Sequence, residues 1–284
     1  MTIRDTMTLG GQFTVHRLGF GAMRITGAGI WGPPADPAAA RNVLRCAVDL
    51  GVDFIDTADS YGPYVSEELI GETLAPYPDG LVIATKGGFE RSGPNQWHTN
   101  GRPAHLREAC DGSLKRLRLE CIDLYQLHRI DPAVALEDQI GTLLELREAG
   151  KIKLIGLSEV TADDLSRVQQ LTPVASVQNR YNVTDRAWDD VVAACTEQDI
   201  AFIPWSPLAV GGLARPGGLL DEIATGHDAT PGQVALAWLL HRSPTVVPIP
   251  GTSSVAHLED NVAAADLRLD DADLARLDAV ARDR

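Results

Sequence analysis

The chain alternates short apolar runs with longer segments of helical period. Eight runs stand out: VHRLGFGAM (15–23), VDFIDTA (52–58), LVIATKGG (81–88), IDLYQLH (122–128), KLIGLSEV (153–160), VASVQNRYN (174–182), IAFIPWSPL (200–208) and VVPIPG (246–251). Most are continuous rather than alternating, as expected of strands covered on both faces. Between them, 37–51 sets Val43, Ala47 and Leu50 on one face, and 104–119 spaces Leu106, Cys110, Ser113 and Leu117 as a helix does. Segment 136–151 turns Ile140, Leu143 and Leu144 inward and stops at Gly150. Ser66 is the expected N-cap of a helix over 66–76, and Thr161 with Asp164 forms a capping pair for 161–171. Further helices are expected at 187–199, 231–242 and 254–266 and in the tail from 271, with a glycine-rich loop before 231. Connections of helix length favour parallel pairing. The pattern predicts one domain over 1–284, a (β/α)8 TIM barrel with a short N-terminal β-hairpin at the Gly-Gly turn of TLGGQFTV (8–15). An open doubly wound sheet is the second choice. The GFGAMR turn (19–24) lacks the third glycine of a Rossmann fingerprint, and no helix opens directly after it.

In a parallel barrel, consecutive strand ends meet on one rim. Asp56, Tyr61, Lys86 and His128 sit at or just beyond the ends of the 52–58, 81–88 and 122–128 runs, and so are expected to converge. A phenol near pKa 10 is a poor acid unless something stabilises its anion. A neighbouring ammonium does so, a histidine relays or orients the proton, and an aspartate keeps the lysine charged and fixed. The set suits donation of a proton to an oxygen on which negative charge develops. Reduction of a carbonyl by hydride from a nicotinamide is such a reaction. Taken singly, Tyr61 reads equally as a turn aromatic and His128 as a hydrogen-bonded core histidine, while a turn or helix cap is the lesser reading of Asp56. Lys86 is the hardest to explain structurally, because an apolar strand end does not favour an unpartnered lysine.

Composition narrows the rest. The 284 residues include 44% hydrophobic and 23% charged, as in a globular protein, and the net charge of −14 argues against a nucleic-acid partner. No apolar run approaches the roughly 18 residues of a membrane span, and MTIRDTMTLGG lacks a signal-sequence pattern. Cys46, Cys110, Cys121 and Cys195 show no metal spacing and read as reduced thiols of a cytoplasmic protein. No metal site is expected, since the seven histidines are dispersed and the first strand carries no His-x-His pair. A glycosidase pairing of Asp56 with Asp59 or Glu159 leaves Lys86 unexplained. A cofactor-binding sensor with little turnover keeps the fold but not the chemistry.

The motifs Asp56-Thr-Ala-Asp-Ser-Tyr61-Gly, Thr85-Lys86, Leu127-His128, Gly156-Leu-Ser158, Val177-Gln178-Asn179 and Trp205-Ser206-Pro207-Leu208 resemble, in order, those of the aldo-keto reductases. The resemblance covers roughly 8–266. It implies a TIM-barrel carbonyl reductase using NADPH/NADP+ rather than NADH, acting on a small-molecule carbonyl substrate, commonly as a monomer. Tyr61 would be the acid, Lys86 and Asp56 would tune it, and His128 would orient substrate. Ser158 and Gln178 would hold the nicotinamide carboxamide, Trp205 would stack on the ring, and Ser206, Pro207 and the backbone at Leu208 would meet the pyrophosphate. Glu159 stands where the family often has asparagine. In the phosphate segment PGTSSVAHLEDN (250–261), Gly251 and His257 replace a frequent lysine and arginine. There Thr252, Ser253, Ser254, Asn261 and the helix N-terminus remain to hold a phosphate. The segments TLGGQFTVHRLGFGAM, WGPP (31–34) and IPGTSSVAHLEDN look like the bacterial pyridoxal reductase-type group, which makes pyridoxal, reduced to pyridoxine, the candidate substrate. Trp31, Trp97 and Tyr64 are candidate lining for an apolar substrate pocket.

Overall fold

The computed structural model describes residues 5–215 and 217–280, the Val210 side chain excepted. A hairpin of β1 (Thr6–Leu9) and β2 (Phe13–His16) opens the chain, its turn made by Gly10 and Gly11, both at positive φ. There follow β3 (Phe20–Gly21), α1 (Pro37–Asp49), β4 (Phe54–Asp56), α2 (Val65–Leu74) and β5 (Val82–Gly87). A second hairpin, β6 (Phe89–Gly93) and β7 (Gln96–Thr99), precedes α3 (Pro103–Leu117), β8 (Ile122–Leu127), α4 (Leu136–Glu148), β9 (Ile152–Ser158) and α5 (Ala162–Gln169). The chain continues through β10 (Ser176–Gln178), α6 (Asp189–Glu197), β11 (Ala201–Phe202), α7 (Leu219–Gly226), α8 (Pro231–Arg242), α9 (Val255–Ala263) and α10 (Asp271–Ala279).

Seven strands form one parallel sheet in the order β11-β10-β9-β8-β5-β4-β3. The eighth apolar run links its two edges. Phe202 N donates to Thr245 O and Val247 N to Phe202 O, while Gly19 N donates to Pro248 O and Gly21 N to Pro250 O. Pro248 and Pro250 have no N–H, so this segment offers carbonyls and cannot form a regular ladder. The curled sheet with these links fits a (β/α)8 barrel, as the strand–helix pattern predicts.

The barrel interior is apolar at one end. Phe54, Val82, Ala84, Leu124, Leu154, Ala175, Ala201, Ile203, Val247 and Ile249 pack together there, and Met7, Leu9 and Val15 of the first hairpin join them. The hairpin therefore plugs that end, and the opposite rim is left for polar groups.

Several local expectations are corrected. The 66–76 helix begins at Val65, with Tyr64 before it in the left-handed region (φ 71°). Ser66 is not its cap: the side chain is buried, sharing a hydrogen bond with Thr57 Oγ1 and donating to Ala22 O. Leu50 follows α1 and is 40% exposed, because the helix ends at Asp49 before the apolar stripe can carry it inward. The glycine-rich stretch before 231 contains α7, and the β6–β7 hairpin was not anticipated. The Thr161–Asp164 pair does form a reciprocal capping box.

Candidate active site

Side chains alternate along a strand, so every second residue faces the barrel interior. In β5 the series Val82, Ala84, Lys86 runs from the apolar end to the rim, and in β8 Leu124 and Gln126 lead to His128. Phe54 leads to Asp56, and Leu154 leads through Gly156 to Ser158. A side chain at Gly156 would collide with Ser176 Oγ and Gln126, and its absence lets these polar groups fit.

This register brings the four expected residues together. Lys86 Nζ is fully buried and donates to Asp56 Oδ2 and to Thr57 O, both at 2.7 Å, and to the Tyr61 hydroxyl at 3.4 Å. The His128 ring stands edge-on to Tyr61 with centroids 5.9 Å apart. Burial raises the Tyr61 phenol pKa, and the Lys86 ammonium opposes this. Burial alone would lower Lys86, but the Asp56 carboxylate and the Tyr61 oxygen outweigh it and raise its pKa. Burial, then Lys86, Arg129 and Arg91, push His128 well below its ordinary value. At neutral pH the site therefore holds a protonated phenol, a cationic lysine and a neutral imidazole.

An amide network extends the set. Asp56 Oδ1 accepts from Gln126 Nε2 at 3.0 Å and from Gln178 Nε2 at 2.8 Å. Gln178, expected at the carboxamide, is thus joined directly to the carboxylate that holds Lys86. Ser158 Oγ accepts from Arg129 Nη1 at 3.0 Å. Glu159 takes a left-handed conformation (φ 54°), and its Oε1 accepts from Trp205 Nε1 at 2.5 Å and Arg180 N at 2.6 Å. The residue replacing the family's frequent asparagine therefore fixes the Trp205 indole.

The β6–β7 hairpin supplies an aromatic wall. Trp97 lies 6.4 Å from both the Tyr61 and His128 rings, and Phe89 lies 4.6 Å from His128. Arg91 ties this hairpin to the 29–31 turn and the rim. Its guanidinium donates to the carbonyls of Gly29, Ile30, Ser60, Gly93 and Gln96, and packs 3.6 Å from the Trp97 ring centroid and 5.6 Å from that of Trp31. Trp31 and Trp97 thus belong to this wall. Tyr64 does not: it is 48% exposed and lies against Arg116. Phe89, Arg91, Gln126 and Arg129 were missed from the sequence. The HR dipeptide at 128–129 and the inward alternation of β8 were signals for the last two.

The remaining expected residues form two groups. Trp205, Ser206, Pro207 and Leu208 follow β11, with Ser206 at φ 57°. Asn182 Nδ2 holds Ser206 O, while the Ser206 hydroxyl is buried and has no hydrogen-bond partner among the described residues. Gly251 lies against the Gly21 carbonyl, so close that a Cβ there would come within 2.5 Å of it. Thr252 Oγ1 accepts from Ser254 N, and Ser254 caps α9 through a long 3.5 Å bond from His257 N. Ser253 and His257 are exposed, and Asn261 is buried on α9. The first group fits a pyrophosphate, because Ser206 presents an unused buried hydroxyl. Among the described residues no cluster of histidine, cysteine or carboxylate side chains could hold a metal.

Residues 17–282 match the aldo/keto reductase family. An uncharacterised oxidoreductase of Schizosaccharomyces pombe is 50% identical over 94% of this chain and 87% of its own length. Pyridoxine 4-dehydrogenase of Escherichia coli is 41% identical over 98% of this chain and 99% of its own. Among solved structures, an aldo-keto reductase of Klebsiella pneumoniae in complex with NADPH superposes with a TM-score of 0.83 at 26% identity, covering 99% of this chain and 96% of that one. The chain belongs to the aldo/keto reductase family and is an NAD(P)H-dependent oxidoreductase.

Proposed function

We propose that this protein, acting as one barrel domain, reduces an aldehyde or ketone to an alcohol with NADPH, and that pyridoxal is its substrate. The observation that carries the reading is the Asp56–Lys86–Tyr61 line: a phenol kept protonated by burial, in contact with an ammonium that a carboxylate holds in place. When bound, the reduced nicotinamide supplies the hydride to the carbonyl carbon. As that bond forms, the C=O π pair moves to oxygen, which takes the proton from Tyr61. Lys86 stabilises the phenolate, and the proton is restored from solvent. Neutral His128 has a ring N–H to donate to the same oxygen, orienting it without competing as the acid. Trp97 and Phe89 exclude water beside it and offer edges to a flat ring.

The Ser206 hydroxyl and the turn at Leu208 support the pyrophosphate assignment, and Ser158 with Gln178 the carboxamide assignment. Trp205, steadied by Glu159, supplies the stacking face. Gly251, Thr252, Ser253, Ser254, His257 and Asn261 would surround the adenosine 2′-phosphate. The name of the Escherichia coli relative favours pyridoxal over other aldehydes.

The test follows NADPH oxidation with pyridoxal beside benzaldehyde, in the native protein and Tyr61→Phe. Pyridoxal is expected to turn over much faster than benzaldehyde, and Tyr61→Phe to lose about a thousandfold or more in kcat while binding NADPH as before. Equal, slow rates on both aldehydes would leave a general carbonyl reductase. Tight NADPH binding without turnover would leave a sensor. Near-normal turnover by Tyr61→Phe would remove Tyr61 from the acid role.

A further inference from the structure

The guanidinium of Arg129 is a rim group that this mechanism leaves without a task. Arg129 follows His128 directly, and its Nη1 donates to His128 O at 2.6 Å and to Ser158 Oγ at 3.0 Å. Its Cζ lies 5.4 Å from the Phe89 ring centroid. Among the described residues, Nε and Nη2 make no hydrogen bond.

A carboxamide is a two-sided ligand. Its nitrogen needs acceptors and its oxygen needs donors. Beside Ser158, the neighbouring donors are already engaged or lacking. Glu159, the next residue, is a carboxylate with nothing to donate, and its Oε1 already serves Trp205 and Arg180. The Gln178 amino group is held by Asp56 and Gln126. The Ser158 hydroxyl is one donor. The guanidinium on it is the other, and it presents several N–H groups in one rigid plane.

We propose that Arg129 donates to the carboxamide oxygen of the nicotinamide held at Ser158, and that its charge makes the site prefer the reduced cofactor over the oxidised one. This rests on the nicotinamide reading given above. The charge argument is simple. The reduced ring is neutral and the oxidised ring is a cation, so a fixed cation beside it repels only the oxidised form. Burial pulls the Arg129 pKa down, but Glu159 opposes this and a guanidinium starts far above neutrality, so the charge persists.

The test is equilibrium binding by calorimetry, with three probes: NADPH, NADP+ and 2′-phospho-ADP-ribose, which has no nicotinamide. In Arg129→Met, NADPH is expected to weaken about tenfold, the loss of one charge-assisted hydrogen bond. NADP+ should weaken less, because repulsion is relieved at the same time, so the ratio of the two affinities shifts severalfold. The nicotinamide-free probe should bind unchanged. Arg129→Lys, which keeps the charge, should keep the native ratio, and it serves if the methionine variant folds poorly. Equal weakening of all three probes would mean that Arg129 only supports the fold. Unchanged constants for all three would also overturn the proposal. Failure of the native protein to bind NADPH and NADP+ more tightly than the nicotinamide-free probe would instead remove the nicotinamide reading itself.

Discussion

The rim around Lys86 and the segment 251–261, which we propose hold opposite ends of the cofactor, are built on opposite terms. At the rim, Lys86 meets three oxygens, Asp56 meets three donors, and almost nothing is exposed. At the far segment, Ser253 and His257 face solvent and the α9 cap is a 3.5 Å contact. Proton transfer to a carbonyl oxygen needs groups fixed to a fraction of an ångström. Holding a phosphate needs only donors of the right sign, which water and mobile side chains can share. The comparison predicts that substitutions at the rim are severe and coupled, while those at 251–261 are mild and additive.

The sharpest test at the rim is Lys86→Met. It removes the cation that favours the Tyr61 phenolate and leaves the Asp56 carboxylate buried with only its two amide donors. We expect about a thousandfold loss of kcat and a destabilisation of about 3 kcal/mol or more, read by denaturant titration. Asp56→Asn together with Lys86→Met should restore part of the stability but none of the activity. Independent, additive losses in stability would mean that the two side chains do not act as a pair.

The next test uses the burial of His128. Its pKa is depressed from the ordinary 6.5, so the unfolded chain binds a proton more readily than the folded one. The stability this contributes is complete above pH 6.5 and is lost as pH falls below it. Asp59 runs the other way, since burial raises its carboxyl pKa well above 3.8 and its contribution declines as pH rises past that value. His128→Gln should therefore narrow the difference in thermal stability between pH 7.5 and pH 5 while costing about tenfold in kcat. An unchanged pH dependence would place the acid sensitivity elsewhere, with His241, also depressed by burial, the next residue to examine.

The same contrast explains what could be read from the chain. Strand ends are legible because a period of two is simple. Once Val82 and Ala84 are inward, Lys86 must be too, and His128 follows from Leu124 in the same way. The eighth strand was legible as an apolar run although its prolines deny it a regular ladder. The β6–β7 hairpin was not legible, because FERSGPNQWHT has mixed polarity and its anchor is elsewhere. Arg91 holds it through carbonyls, which carry no side-chain signature. α7 was hidden by the glycines around it, and Tyr64 looked like pocket lining until its left-handed backbone placed the ring against Arg116. For Arg129 the legible signal is its place directly after His128, since its partners, a backbone oxygen and a serine, do not by themselves identify an arginine.

The far segment gives the smallest expected effect. His257 stands where a cation is frequent in the family, yet its backbone N–H already serves the Ser254 cap. His257→Ala should change KM for NADPH by less than about fivefold, since an exposed group contributes at most about 1 kcal/mol. His257→Arg should lower KM for NADPH about threefold to fivefold and leave NADH unaffected, because only the 2′-phosphate would feel the added charge. If alanine at 257 abolished the preference for NADPH, cofactor choice would rest on one side chain, and the segment would be as tightly built as the rim. If neither substitution moved the NADPH-to-NADH ratio, the donors would have to be Thr252, Ser253 and the α9 N-terminus. Affinity would then fall only stepwise as each is removed, which is the behaviour of a site held by many weak contacts rather than by one buried ion pair.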